Sequence, residues 1–230
     1  MRSNKPCTNA GLSIEPAWCI ILTGGLNMSA FDTASVSPKL ASYEFPAHIV
    51  SDDILSQSLS QQRIDAIVRG VQSSNTVYCP GEPVTYVAPW TGHEVLPAGG
   101  FDLVSSQAAL EHVDSLEQIY AAISYWTRSG GVTSHDIDMT SHGMGRYWNS
   151  HWSYSRLAWK LIRGRRAYLL NRVPYSVHRE ALQRLGFRII AETKYPYVDG
   201  IDRGQLAEPF NRLSDADFRT MEAYVLGIKC

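Results

Sequence analysis

Two stretches of the chain gather residue types able to do acid–base or ligand chemistry. The first is FDLVSSQAALEHV (101–113), a β-rich run that closes on Glu111 and His112. A histidine near neutral pKa can take a proton from a nucleophile, and a carboxylate can orient an amine or hydroxyl. The pair reads as the first turns of a helix, where neighbours diverge by about 100° and cannot both face one point. One side chain then meets a ligand while the other anchors structure; the plainer alternative is a glutamate placed favourably at a helix N-terminus.

The second stretch is SHDIDMTSH (134–142), with two histidines and two aspartates at the end of a strand. Alternation puts His135 and Ile137 on one face and Asp136 and Asp138 on the other. Imidazole and carboxylate suit zinc or iron, but with these residues on opposite faces and no further His or Cys at ligand spacing, no metal site is expected. A polar substrate pocket is the stronger reading, a solvated loop the weaker one. A third run, RYWNSHWSYSRLAWKLIRGRR (146–166), mixes aromatics with Arg and Lys as a single-strand nucleic-acid surface does. Trp148, Trp152, Ser155 and Trp159 recur at helical spacing, however, which favours packing or a pocket lid.

The bulk properties narrow the partner. Lys and Arg together number 21 against 22 for Asp and Glu, so net charge points to no polyanion. Cys7, Cys19, Cys79 and Cys230 are too scattered for a zinc or redox motif and read as reduced thiols in a cytoplasmic protein. AWCIILTGGL is apolar for too short a run to span a bilayer. The expectation is a small-molecule substrate, with no nucleic acid and no membrane; nothing sets the oligomeric state. Gly-x-Ser-x-Gly is missing, which argues against an α/β hydrolase.

The elements that must position these residues alternate. Residues 1–25 read as an irregular tail, and 26–230 as one domain with 140–180 covering the substrate. GLNMSAFDTA (25–34) reads as a strand, 52–72 as a helix, VTYVAPW (84–90) as a strand interrupted by proline, and FDLVSS as a strand. SLEQIYAAISYWTRSGG (115–131) has helical spacing, an N-cap serine and a terminal glycine pair. GVTSHDIDM (131–139) is a strand, 174–187 a helix, and 187–196 and 220–230 are strands flanking a short helix that begins near Ser214. This order predicts an α/β fold with a mostly parallel sheet, whose binding face lies at the strand carboxyl ends.

FDLVSSQAALEHV, followed by a helix, SGG and a strand, resembles the fourth-strand motif of class I S-adenosylmethionine-dependent methyltransferases of the small-molecule branch. NRVPYSVHREALQRLGFRII (171–190) and MEAYVLGIKC (221–230) resemble the family's later helix and closing strands, so the likeness covers roughly residues 84–230. It implies a Rossmann-like sheet with one antiparallel strand near the edge, and S-adenosyl-L-methionine across the strand carboxyl ends. By that resemblance Asp32 would take the ribose hydroxyls, Ala88 and Trp90 would border the adenine, and Ser106 and Gln107 would line the methionine end. His112 and His135 would be base candidates, with Glu111, Asp138 and His142 on the acceptor side. The family's acidic strand end and glycine-rich turn have no counterpart: TGG (23–25) leaves no room for a helix before Asp32. The domain is therefore expected to lack its first strand and helix, and the rival reading is a non-catalytic remnant that binds a partner along an unpaired sheet edge.

Overall fold

The computed structural model describes residues 19–22, 51–73, 84, 85, 87 and 92–230. The chain divides into two compact units, 1–14 with 25–91 and 15–24 with 92–230. In the first, α1 (Asp52–Ser58) and α2 (Gln61–Ser73) replace the single helix expected over 52–72. Ser51 caps α1 by accepting from the Ile54 N–H at 3.4 Å. The break falls at Leu59 and Ser60, and the Ser60 carbonyl accepts the first bond of the next helix from Ile64. Serine competes for backbone groups and so favours helix ends over interiors.

The second unit contains β1 (Cys19–Leu22), β2 (Phe101–Gln107), α3 (Leu116–Trp126), β3 (Thr127–Asp138), α4 (Arg156–Arg163), α5 (Tyr175–Arg184), β4 (Phe187–Pro196), α6 (Asp215–Arg219) and β5 (Thr220–Lys229). The strands form one sheet in the order β1-β2-β3-β5-β4. β1, β2 and β3 run parallel, while β5 runs against both β3 and β4. The expected mostly parallel sheet is thus corrected to a mixed one, and the two longer ladders are the antiparallel pair made by β5. The cause lies in the connection: β5 follows β4 through the loop and α6 and returns into the gap beside β3.

β1 corrects a second expectation. It lies inside the stretch read as an irregular tail, and it pairs from Cys19 opposite Leu103 to Leu22 opposite Ser106. The β2 edge is therefore paired, and the remnant reading loses the unpaired edge that motivated it. The strand expected over 25–34, with Asp32, lies outside the described residues, as do Ala88 and Trp90; Val84, Thr85 and Val87 carry no strand.

α3 and α5 cover one face of the sheet. Val104, Ile137, Ala223 and Val225 are buried beneath Tyr120, Ile123 and Leu182. Ser115 caps α3 as its sequence predicts, accepting from Gln118 N–H. The helix stops earlier than expected, at Trp126: the Thr127 hydroxyl donates to the Ile123 carbonyl, and TRSGG begins β3 instead of ending α3. Gly131 is required there, since a Cβ would stand 2.9 Å from the Arg128 carbonyl oxygen. The tryptophans do not share one helix. Trp152 lies in a single turn over Ser150–Ser153 and anchors a smaller core with Ile201, Leu206 and Phe210, while Trp159 is buried from α4.

Candidate functional site

The site begins where β2 ends. Gln107 is exposed, and Ala108 turns the chain at φ +45° while its N–H donates to the Asp136 carbonyl of β3 at 3.0 Å. Leu110–His112 is one tight 3-10 turn, and α3 starts only at Leu116. Glu111 and His112 therefore sit before a helix and not on one. The expected 100° divergence gives way to convergence, with His112 Nε2 3.8 Å from Glu111 Oε1.

Asn171 holds this turn. Its backbone N–H donates to the Glu111 carbonyl at 2.8 Å, and its Nδ2 donates to the carbonyls of Leu110 and Val113 at 2.7 and 3.3 Å. The neighbouring Arg172 is anchored in the aromatic-rich region. It donates to the His151 and Tyr154 carbonyls at 3.1 and 2.7 Å, and its guanidinium lies 4.4 Å from the Trp159 ring centroid and 4.9 Å from that of Phe210. These contacts explain why the aromatic-rich region matters: it packs the strut that fixes the 110–113 turn.

Glu111 is 3% exposed, and neither carboxylate oxygen has a hydrogen-bond partner among the described residues. Burial pushes its carboxyl up to about 7; the backbone N–H groups of Glu111 and Asp138 act against the rise, and the Asp138 and Asp136 charges add to it. A lone buried carboxylate is costly, so the proton stays on to higher pH. His112 is half-buried, and its Nδ1 lies 2.9 Å from the Tyr168 carbonyl oxygen. A carbonyl only accepts, so Nδ1 carries the hydrogen and Nε2 presents a lone pair towards Glu111 in the neutral ring. Burial holds His112 below the ordinary histidine value, and the neighbouring His142 contributes in the same direction.

His142 completes the group from the loop after β3. Its Nε2 lies 3.3 Å from Asp138 Oδ2, and its ring meets that of His112 edge-on with centroids 5.0 Å apart. One ligand-type atom each from Glu111, His112 and His142 falls within 4.8 Å of the others. Among the described residues, the non-glycine positions with positive φ are Ala108, His142, Tyr168 and Arg172. Each belongs to the cluster, adjoins it or bonds to it, so the backbone strain of this unit is concentrated there.

The remaining predicted residues separate. His135 is wholly buried under α3 and bonds Ser106 Oγ through Nδ1 at 2.7 Å and Thr133 Oγ1 through Nε2. Thr133 donates its own hydroxyl proton to the Val104 carbonyl. It must therefore accept from His135 Nε2–H, which leaves Nδ1 to accept from Ser106. Burial lowers the His135 pKa to about 3. Both residues are turned into the core and away from the crevice, a correction to their expected places beside the acceptor and the cofactor. The alternation argument predicted the two faces of β3 but not which face was covered. Sequence reasoning missed Asn171, the Tyr168 carbonyl and Arg172; a polar Asn-Arg pair between a loop and a helix was their only signal.

No protein-family model matches the chain, and no curated protein does. Solved structures do match. An S-adenosylmethionine-dependent methyltransferase from Mesorhizobium loti is 20% identical over 58% of this chain and 64% of its own, with a TM-score of 0.37. The geranyl diphosphate C-methyltransferase of Streptomyces coelicolor A3(2), solved with Mg2+, geranyl diphosphate and S-adenosyl-L-homocysteine, is 11% identical over 73% of this chain and 57% of its own, with a TM-score of 0.38. The likeness is to S-adenosylmethionine-dependent methyltransferases. The chain spans less than two thirds of either of these proteins. No helix among the described residues is long and apolar enough to cross a membrane.

Proposed function

We propose that the chain transfers a methyl group from S-adenosyl-L-methionine to an oxygen or nitrogen of a small-molecule or glycan-like acceptor, in the cytoplasm. The observation that carries this reading is the junction at 101–113. The stretch whose sequence resembles the methyltransferase motif is a strand whose carboxyl end opens onto Glu111, His112, Asp138 and His142. Ligands of open α/β sheets bind at such carboxyl ends.

S-adenosyl-L-methionine supplies an electrophilic methyl on a sulfonium, and the protein's share is positioning and, where needed, a base. His112 fits the base. Its Nδ1–H is fixed on the Tyr168 carbonyl, and its lowered pKa keeps Nε2 free at neutral pH. Nε2 takes the proton that an acceptor hydroxyl or ammonium loses as its lone pair becomes the nucleophile. Glu111, Asp138 and His142 line the acceptor side, and Glu111 titrates near neutrality, so it can donate as well as accept. For the cofactor, Gln107 is the exposed polar group at the carboxyl end of β2. Asp32, Ala88 and Trp90, which the resemblance would give to ribose and adenine, lie outside the described residues. Ser106 and His135 are left out of the machinery because they satisfy each other in the core.

Calorimetric titration of the full chain with S-adenosyl-L-homocysteine tests the reading. Saturable one-to-one heat is expected; no heat at high ligand concentration overturns the cofactor assignment.

A further inference from the structure

The Glu111, His112 and His142 cluster has the makings of something that acid–base chemistry alone leaves unused. We propose that these three side chains form a binding site for a single divalent cation of the zinc and iron class, with Asp138 as the orienting carboxylate.

Three independent features point there. The donor set is two imidazoles and one carboxylate, the combination that open, three-ligand metal sites use. Its atoms already lie within 4.8 Å of one another. Bonds of about 2.0–2.2 Å around a tetrahedral ion put ligand atoms roughly 3.5 Å apart, so modest side-chain rotations close the shell. The second feature is Glu111, buried with both oxygens unpartnered among the described residues. A cation is the partner that makes such a carboxylate tolerable. The third is the outer shell. Metal-bound histidines usually donate their other ring N–H to a carbonyl or carboxylate, which fixes tautomer and aim. His112 gives Nδ1–H to the Tyr168 carbonyl. His142 Nε2 faces Asp138 Oδ2, while Asp138 Oδ1 is held at 2.7 Å by the Thr140 N–H. Asp138 thus has both oxygens engaged and serves the ring instead of the ion.

Three protein ligands leave a position open. On the methyl-transfer reading that position would take an oxygen of the acceptor, and His112 would act as a ligand in place of a base. The cation would lower the pKa of that hydroxyl, its proton would pass to solvent, the oxygen would bond the sulfonium methyl carbon as the carbon–sulfur bond breaks, and S-adenosyl-L-homocysteine would leave. Binding of the ion itself does not depend on that reading.

The test uses the full chain, dialysed free of metal and titrated with Co2+ and then Zn2+, without any methyl donor. One Co2+ per chain with the visible absorption of a four- or five-coordinate ion is expected, displaced by Zn2+. Glu111→Gln and His142→Asn should each weaken binding at least tenfold, whereas His93→Ala, outside the cluster, should not change it. His142→Asn is the safer variant, because asparagine tolerates the φ of +47° at that position. Circular dichroism confirms folding of each variant. Absence of stoichiometric binding in the wild type, or affinity unchanged in both cluster variants, overturns the proposal. A negative result with S-adenosyl-L-homocysteine leaves this outcome untouched, so the two readings fail separately.

Discussion

The histidines under α3 and α5 and the histidines at the carboxyl ends of β2 and β3 are chemically the same groups in opposite situations. His135 and His178 are wholly buried, each bonded to a neighbouring hydroxyl, and burial lowers both to about 3. His112 and His142 stand at the crevice beside a buried glutamate with no partner of its own. In the first region each ring bonds a buried hydroxyl, with His178 Nε2 left over, and in the second the histidines stand partly exposed beside a glutamate whose two buried oxygens have no hydrogen-bond partner among the described residues. That difference, more than residue type, separates a structural histidine from a candidate functional one.

The two regions also put opposite slopes on stability against pH. His135 and His178, and also His151 in the 150–153 turn, each have folded values of about 3 against 6.5 in the unfolded chain. Their stabilising effect is present above 6.5 and is lost as the pH falls towards 3, each at about 1.4 kcal/mol per pH unit. Glu111 behaves the other way, with a folded value of about 7 against 4.5. Its favourable state is present below 4.5 and is lost as the pH rises through 7.

Substitutions can break this contrast in order of size. His135→Ala removes a buried ring and strands Ser106 and Thr133, and should cost about 3 kcal/mol in denaturant unfolding at pH 7.5. A change below about 1 kcal/mol would mean that the core network carries little. Asn171→Ala keeps the backbone bond to Glu111 but loses the two bonds from Nδ2 and the one that Oδ1 accepts from Val173 N–H, an expected loss of about 2 kcal/mol. Glu111→Gln should act in the opposite direction in metal-free buffer, stabilising by about 1–3 kcal/mol at pH 8 and close to nothing at pH 4. An equal effect at both values would show that the carboxyl is not held protonated.

Much of this was legible in the amino-acid order, and the failures have physical causes. The Ser115 cap, the helix expected over 174–187 and the alternation through His135, Asp136, Ile137 and Asp138 are local patterns, and the structure follows them. The antiparallel insertion of β5 next to the edge is a non-local pairing that no local period encodes, and only the family resemblance carried it. β1 was missed because four residues among Thr, Gly and Pro are too short to show a period. The Glu111–His112 convergence was hidden because helix geometry was assumed where a 3-10 turn clamped by Asn171, some sixty residues away, decides the angle. His135 was expected as a base candidate and His142 on the acceptor side of one site; the position of α3 over one face of β3 separates them.

The central claim is that ligand chemistry belongs to the crevice histidines and not to the core ones. Nitrogen-15 spectra of histidine-labelled protein test it directly, taken alone, with Zn2+ and with S-adenosyl-L-homocysteine. The His112 and His142 signals should shift on ligand addition, while His135 and His178 stay neutral and unmoved down to about pH 5. Ligand shifts confined to His135, or a His135 titration near 6.5, would contradict the account.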